Sequence, residues 1–86
     1  MPSRIHAIDI ARELAAAGHT NSEKGHTWTP GFRVSQASPR TVRIHHDGPD
    51  EHTRLDQYAT ALRNLGYAVT SERPRGRRPS IRATHA

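Results

Sequence analysis

Residues 51–69, EHTRLDQYATALRNLGYAV, change period part-way along. Leu55, Tyr58, Ala59, Leu62 and Leu65 fall at i, i+3, i+4, i+7 and i+10, one stripe of a 3.6-residue repeat, and predict an amphipathic helix over 51–65. Gly66 stands where a left-handed residue closes a helix. Tyr67 and Val69 then begin a two-residue alternation that Ile81 and Ala83 resume, which predicts a hairpin over 67–84 with its tip at 73–79. The unit is a helix, a glycine and a hairpin.

The same unit is legible upstream. Gly48-Pro49 is a turn, and either Asp50 or Thr53 can cap the second helix, Thr53 with Asp56 approximating a capping box. Phe32 and Val34 alternate with Arg33 and Ser35, while Val42 and Ile44 alternate with Thr41, Arg43 and His45. With turn residues at 36–40 between them, these predict a hairpin over 31–46. Residues 19–30 are polar and read as a loop, with Trp28 pinning it to the core or starting the strand early. Ala7, Ile10, Ala11, Leu14 and Ala17 make a second helical stripe, so a helix is expected over 4–17, capped by Ser3, ended by Gly18, with Asp9, Arg12 and Glu13 wet. The two helices align at an offset of 48 residues, with Ile10 on Tyr58, Ala11 on Ala59, Leu14 on Leu62 and Gly18 on Gly66. Either a repeat or convergence of two helices on one sheet accounts for this.

The expectation is one α+β domain over 1–86 of order α-β-β-α-β-β. Two helices pack on one face of a four-stranded antiparallel sheet made of two hairpins. The other face should be wet and carry Arg33, Ser35, Thr41, Arg43, His45, Thr70, Ser80, Arg82 and Thr84. A chain of 86 residues buries roughly 60–65% of the surface its unfolded form exposes, so the core is thin and a homodimer or protein partner at a sheet edge is one way to bury more.

Several function classes drop out. With no cysteine, disulfides and thiolate metal sites are excluded. No apolar run approaches the ~20 residues of a membrane span, and the N-terminal stretch reads as a helix rather than a signal peptide, so no membrane association and a cytoplasmic location are expected. His45-His46-Asp47 is the densest of the histidine clusters, but neighbours on a strand point to opposite faces, so no metal or other cofactor is expected. Phosphate-binding glycine loops, nucleophile elbows and HExxH are absent, and an enzyme is not expected.

What remains is charge. The formal net charge is +5, with twelve Arg and one Lys. A preference for Arg has two sources, selection for a guanidinium that forks onto phosphate and a GC-rich coding sequence. The many alanines favour the second, so the inference rests on where the charge is concentrated. Arg73-Pro74-Arg75-Gly76-Arg77-Arg78-Pro79 holds four arginines in seven residues, all at the tip of the second hairpin. This stretch resembles the AT-hook, an Arg-Gly-Arg-Pro element of the DNA minor groove. The resemblance implies that Gly76 lets the backbone approach the groove floor, that Arg75 and Arg77 enter the groove, and that the prolines hold the arms extended. It covers seven residues and departs from the hook where Arg78 precedes the proline. Arg73, Arg75, Gly76, Arg77 and Arg78, with Arg82, Arg33 and Arg43 on the open sheet face, are the candidate nucleic-acid contacts. Binding of weak sequence specificity is expected, with no recognition helix, because Arg54, Asp56, Gln57, Arg63 and Asn64 give the second helix a mixed outer face. Changing Arg75, Arg77 and Arg78 together should leave the fold intact, because turn-tip side chains bury little. Protonation of surface histidines below pH ~6.5 should strengthen anion binding.

Overall fold

The computed structural model describes residues 4–22 and 29–85. Helix α1 spans Ala7–Ala16, strands β1 and β2 span Gly31–Ser38 and Thr41–Asp47, helix α2 spans Glu51–Asn64, and strands β3 and β4 span Tyr67–Glu72 and Ser80–His85. The expected α-β-β-α-β-β order and two hairpins are present, joined into one antiparallel sheet of order β1-β2-β4-β3. Exchanging the first helix-hairpin unit for the second leaves this strand order unchanged, as a two-fold repeat requires.

Both helices cover one face of the sheet. Ile10 and Leu14 of α1 and Leu55, Tyr58, Ala59 and Leu62 of α2 bury against Phe32, Val42, Ile44, Ile81 and Ala83, together with Ile5. Each helix ends as its glycine predicts: Gly18 and Gly66 have φ of +96° and +97°, and their N–H groups donate to Ala15 and Arg63 carbonyls. Leu65 was placed on the buried stripe, yet it is 56% exposed, because it lies one residue past the helix where the backbone turns off the stripe. Ile8 of α1 is 59% exposed, off the buried stripe.

The helix starts differ from the sequence reading. Ser3 and Trp28 lie outside the described residues. The first turn of α1 is held by Gln36 of β1, whose Oε1 accepts from Ala7 N at 2.8 Å and whose Nε2 donates to the Ile5 carbonyl at 2.7 Å. Asp50 does precede α2, but in the left-handed region at φ 60° with no side-chain cap bond, and Thr53 lies inside the helix, so the capping box does not form. Glu13 is not on the wet face: it hydrogen-bonds the Tyr67 hydroxyl and, with burial as the larger cause, pushes that hydroxyl's pKa up. The first hairpin turns at Pro39-Arg40, later than the 36–40 stretch implied, with an irregular register between Gln36 and Ser38.

His46 is buried among the core residues with both ring nitrogens bonded. The Pro49 carbonyl can only accept, so His46 Nε2 donates to it at 3.0 Å and Nδ1 accepts from the Tyr58 hydroxyl at 2.7 Å. This chain ties the end of β2 to the middle of α2. The sheet edges are partly occupied. Phe32 of β1 exchanges backbone bonds with Thr20 and Ser22, and on β3 the Val69 carbonyl accepts from Arg63 of α2 at 3.0 Å.

Candidate nucleic-acid interface

The face away from the helices is where strand alternation predicted it. In register, Arg33 lies opposite His45, Arg43 opposite Arg82, Thr70 opposite Arg82, and Glu72 opposite Ser80. Two of the expected wet residues are buried, Thr41 at 7% and Ser80 at 6% exposure. Both are short side chains at the starts of the two inner strands, flanked on either side, so longer neighbours screen them. The face carries no Phe, Tyr or Trp among the described residues.

The Arg-rich tip adjoins this face. Asp47, at the end of β2, holds the two together: its Oδ2 accepts from Arg33 Nε at 3.0 Å and from Ser22 Oγ at 2.7 Å, while Oδ1 pairs with Arg78 Nη1 at 3.1 Å. Arg78 also donates to Glu51 Oε2 from Nε at 3.0 Å and from Nη2 at 2.9 Å, and to the His46 carbonyl. It is therefore an anchor of the hairpin rather than a free turn-tip side chain, and a triple change including Arg78 removes structure as well as charge. Arg73, on the other arm, pairs with Asp56 of α2 at 3.1 Å.

Between these anchors the chain makes a tight turn. Arg77 N donates to the Pro74 carbonyl at 3.3 Å, and Gly76 has φ +78° with no other positive φ in the turn, the pattern of a type II turn with glycine third. The extended arms implied by the AT-hook resemblance are replaced by this turn, because anchored strands on both sides force the chain to reverse within a few residues. Arg75 and Arg77 flank Gly76, are exposed, and have no acidic partner among the described residues.

The candidate arginines thus fall into two groups. Arg75 and Arg77 have no acidic partner among the described residues, whereas Arg33, Arg43, Arg73, Arg78 and Arg82 each meet a carboxylate. Their ion pairs are open to water: the side chains of Arg33, Arg43, Arg78 and Arg82 remain 34–49% exposed. Over the open face and turn, six arginines (Arg33, Arg43, Arg75, Arg77, Arg78 and Arg82) stand against Asp47, Glu51 and Glu72. Among the described residues that is a surplus of three positive charges on this surface.

His45 sits in the middle of this group. Burial, then the positive fields of Arg33, Arg78 and Arg43, lower its pKa below the usual 6.5, against a smaller opposing pull from Asp47. The ring is neutral near pH 7, and the gain in anion binding expected from histidine protonation moves to a more acidic range. Among the described residues no three His, Asp or Glu side chains converge as metal ligands. A separate hollow of about 150 Å³ beside α2 is lined by His19, His46, Asp50, Arg54 and Tyr58, but its buried polar atoms are already spent on the His46–Tyr58–Pro49 chain. No helix of the described residues is long and apolar enough to cross a membrane.

Sequence patterning marked every arginine of this surface but none of its acids, since Asp47, Glu51 and Glu72 have no periodic signature. Comparison with protein-family models, with curated proteins and with solved structures returns no match.

Proposed function

We propose that this domain binds nucleic-acid duplex through the open sheet face and the Arg75-Gly76-Arg77 turn, with little sequence specificity and no catalytic role. The single observation that carries the reading is the gathering of six guanidinium groups on one water-accessible surface, two of them without counter-ions among the described residues. Such a surface meets phosphates, and base readout has no element to perform it: the outer face of α2 mixes Arg54, Asp56, Gln57, Arg63 and Asn64. The choice of duplex over single strand follows from the lack of aromatic side chains on this face among the described residues, because single-strand binders stack bases on such side chains. The turn brings Arg75 and Arg77 to a groove or its bordering phosphates, the role that the AT-hook resemblance assigns to them.

A protein partner at a sheet edge is the competing reading. The β1 edge is taken at Phe32 by Thr20 and Ser22, and the centre of the β3 edge by Arg63, so the face is favoured over the edges.

The test is a fluorescence-anisotropy titration with a mixed-sequence duplex at several salt concentrations. Three uncompensated charges give a slope of log K on log salt of about −3. Absence of duplex binding at ~50 mM salt overturns the reading.

A further inference from the structure

Arg43 on β2 and Arg82 on β4 stand directly opposite one another at the centre of the sheet. Like charges so placed repel, and the position needs a counter-ion. Glu72, the last residue of β3, supplies it: Oε1 lies 3.6 Å from Arg43 Nη2 and 3.4 Å from Arg82 Nε.

The contact is poorly made compared with its neighbours. Glu72 Oε1 is buried and accepts no hydrogen bond, and Arg43 Nε is buried and donates none. On the same face, Asp47 accepts well-formed bonds from Ser22 and Arg33, and Glu51 accepts two from Arg78. Two carboxylates are built into the structure by good hydrogen bonds, while the third offsets half of its pair's charge through proximity alone. Glu72 is also the one best placed to leave, at the end of an edge strand with its side chain 35% exposed.

We infer that Arg43 and Arg82 form a phosphodiester-binding subsite and that Glu72 is its internal competitor, offsetting part of the pair's charge in the free protein and displaced when a phosphate arrives. A phosphate offers several oxygens to two guanidinium groups, so it makes the charge-assisted bonds that a single buried carboxylate oxygen does not. The inference rests on the nucleic-acid reading and adds to it a named subsite and a threshold: phosphates must out-compete an intramolecular carboxylate.

The experiment is the duplex titration repeated with Glu72→Gln, with Asp9→Asn as a control that removes the same charge from α1 on the other side of the sheet. One more available phosphate contact at ~50 mM salt tightens binding on the order of tenfold and steepens the salt slope by about one. Asp9→Asn should change affinity by less than about a third of that factor on a logarithmic scale, because screening weakens charges beyond ~10 Å. In an Arg43→Gln/Arg82→Gln background the Glu72→Gln gain should vanish. Should Glu72→Gln melt below the assay temperature, Glu72→Asp retains the charge and retracts it by one methylene, and it too should tighten binding. A gain no larger than that of Asp9→Asn, or one that persists without Arg43 and Arg82, overturns the competitor role. Wild-type protein that binds no duplex at all overturns the underlying reading instead.

Discussion

Asp47→Asn is the substitution whose cost follows most directly from the structure. The side chain of Asp47 is 14% exposed and joins Ser22, Arg33 and Arg78, so one carboxylate ties the segment before β1, β1 itself and the basic hairpin tip to the end of β2. Asparagine keeps the shape and one acceptor oxygen but loses the charge. The two bonds at the retained oxygen become neutral at about 1 kcal/mol each, and the bond from Arg78 to the other oxygen is lost at about 1 kcal/mol, for a total of ~3 kcal/mol. Arg33 and Arg78 are a third to a half exposed, and solvent screening reduces the total to about 1.5–2 kcal/mol. At 4–8 °C per kcal/mol for a domain of this size, the midpoint of thermal unfolding should fall by roughly 6–16 °C at pH 7. The pH dependence supplies a second readout. Burial raises the Asp47 pKa, but the bonds from Ser22, Arg33 and Arg78 outweigh it and hold the carboxyl below the usual 3.8. A depressed carboxyl stabilises the fold above its unfolded pKa, and that contribution is lost as pH falls from about 4 through the lower folded value. The gap between wild type and variant should therefore close on acidification. Thermal melts followed by far-UV circular dichroism from pH 7 down to pH ~2.5 measure both. A midpoint within about 2 °C of wild type at pH 7, or a gap that does not narrow in acid, refutes the clamp.

Other expectations follow from single contacts. Tyr58→Phe strips the donor from buried His46 Nδ1 and should cost about 1–3 kcal/mol in chemical denaturation, with the denaturant slope unchanged. Arg75→Ser with Arg77→Ser should leave the melting midpoint within about 3 °C of wild type while weakening duplex binding and flattening its salt slope by about two; adding Arg78→Ser should lower the midpoint further, by removing the Asp47 and Glu51 bonds. His45, with its pKa lowered, stabilises the fold above pH 6.5, and this is lost as pH drops from 6.5 toward its folded pKa; His19 acts in the same sense through burial and Arg54. His45→Gln should thus flatten the decline of stability below pH 6.5 and leave duplex affinity at pH 7 unchanged, as read by melts and titrations across that range.

The helices and hairpins could be read from periodicity because each has one buried side, and Gly18 and Gly66 marked the helix ends because each adopts a positive φ. Strand order was out of reach, since no local pattern says that β2 lies beside β4. The helix match at an offset of 48 does not carry over at that offset to the strands, where Phe32 opposite His46 corresponds in position to Tyr67 opposite His85. The strand offsets are 35 and 39, because residues 19–30 lengthen the first unit and the Arg-rich tip lengthens the second. A fixed-offset comparison cannot follow such a shift.

The same reasoning separates what was and was not legible in the site. Alternation placed Arg33, Arg43 and Arg82 on the open face from sequence alone. It could not show that Glu72 lies between Arg43 and Arg82, or that Asp47 joins Arg33 to Arg78, because these contacts cross strands whose neighbours were unknown. Arg78 illustrates the consequence: four arginines in a row of seven residues look equivalent as composition, yet two anchor the hairpin and two have no acidic partner among the described residues.

The most direct measurement is an amide chemical-shift titration of the labelled protein with duplex at low salt. The account predicts that shifts concentrate in Arg33, Arg43, His45, Arg82 and the Arg75-Gly76-Arg77 turn, and recede together as salt is raised. Shifts centred on the outer faces of α1 and α2, or none at protein and duplex concentrations of about 100 μM, near the weak end of non-specific DNA affinity, would contradict it.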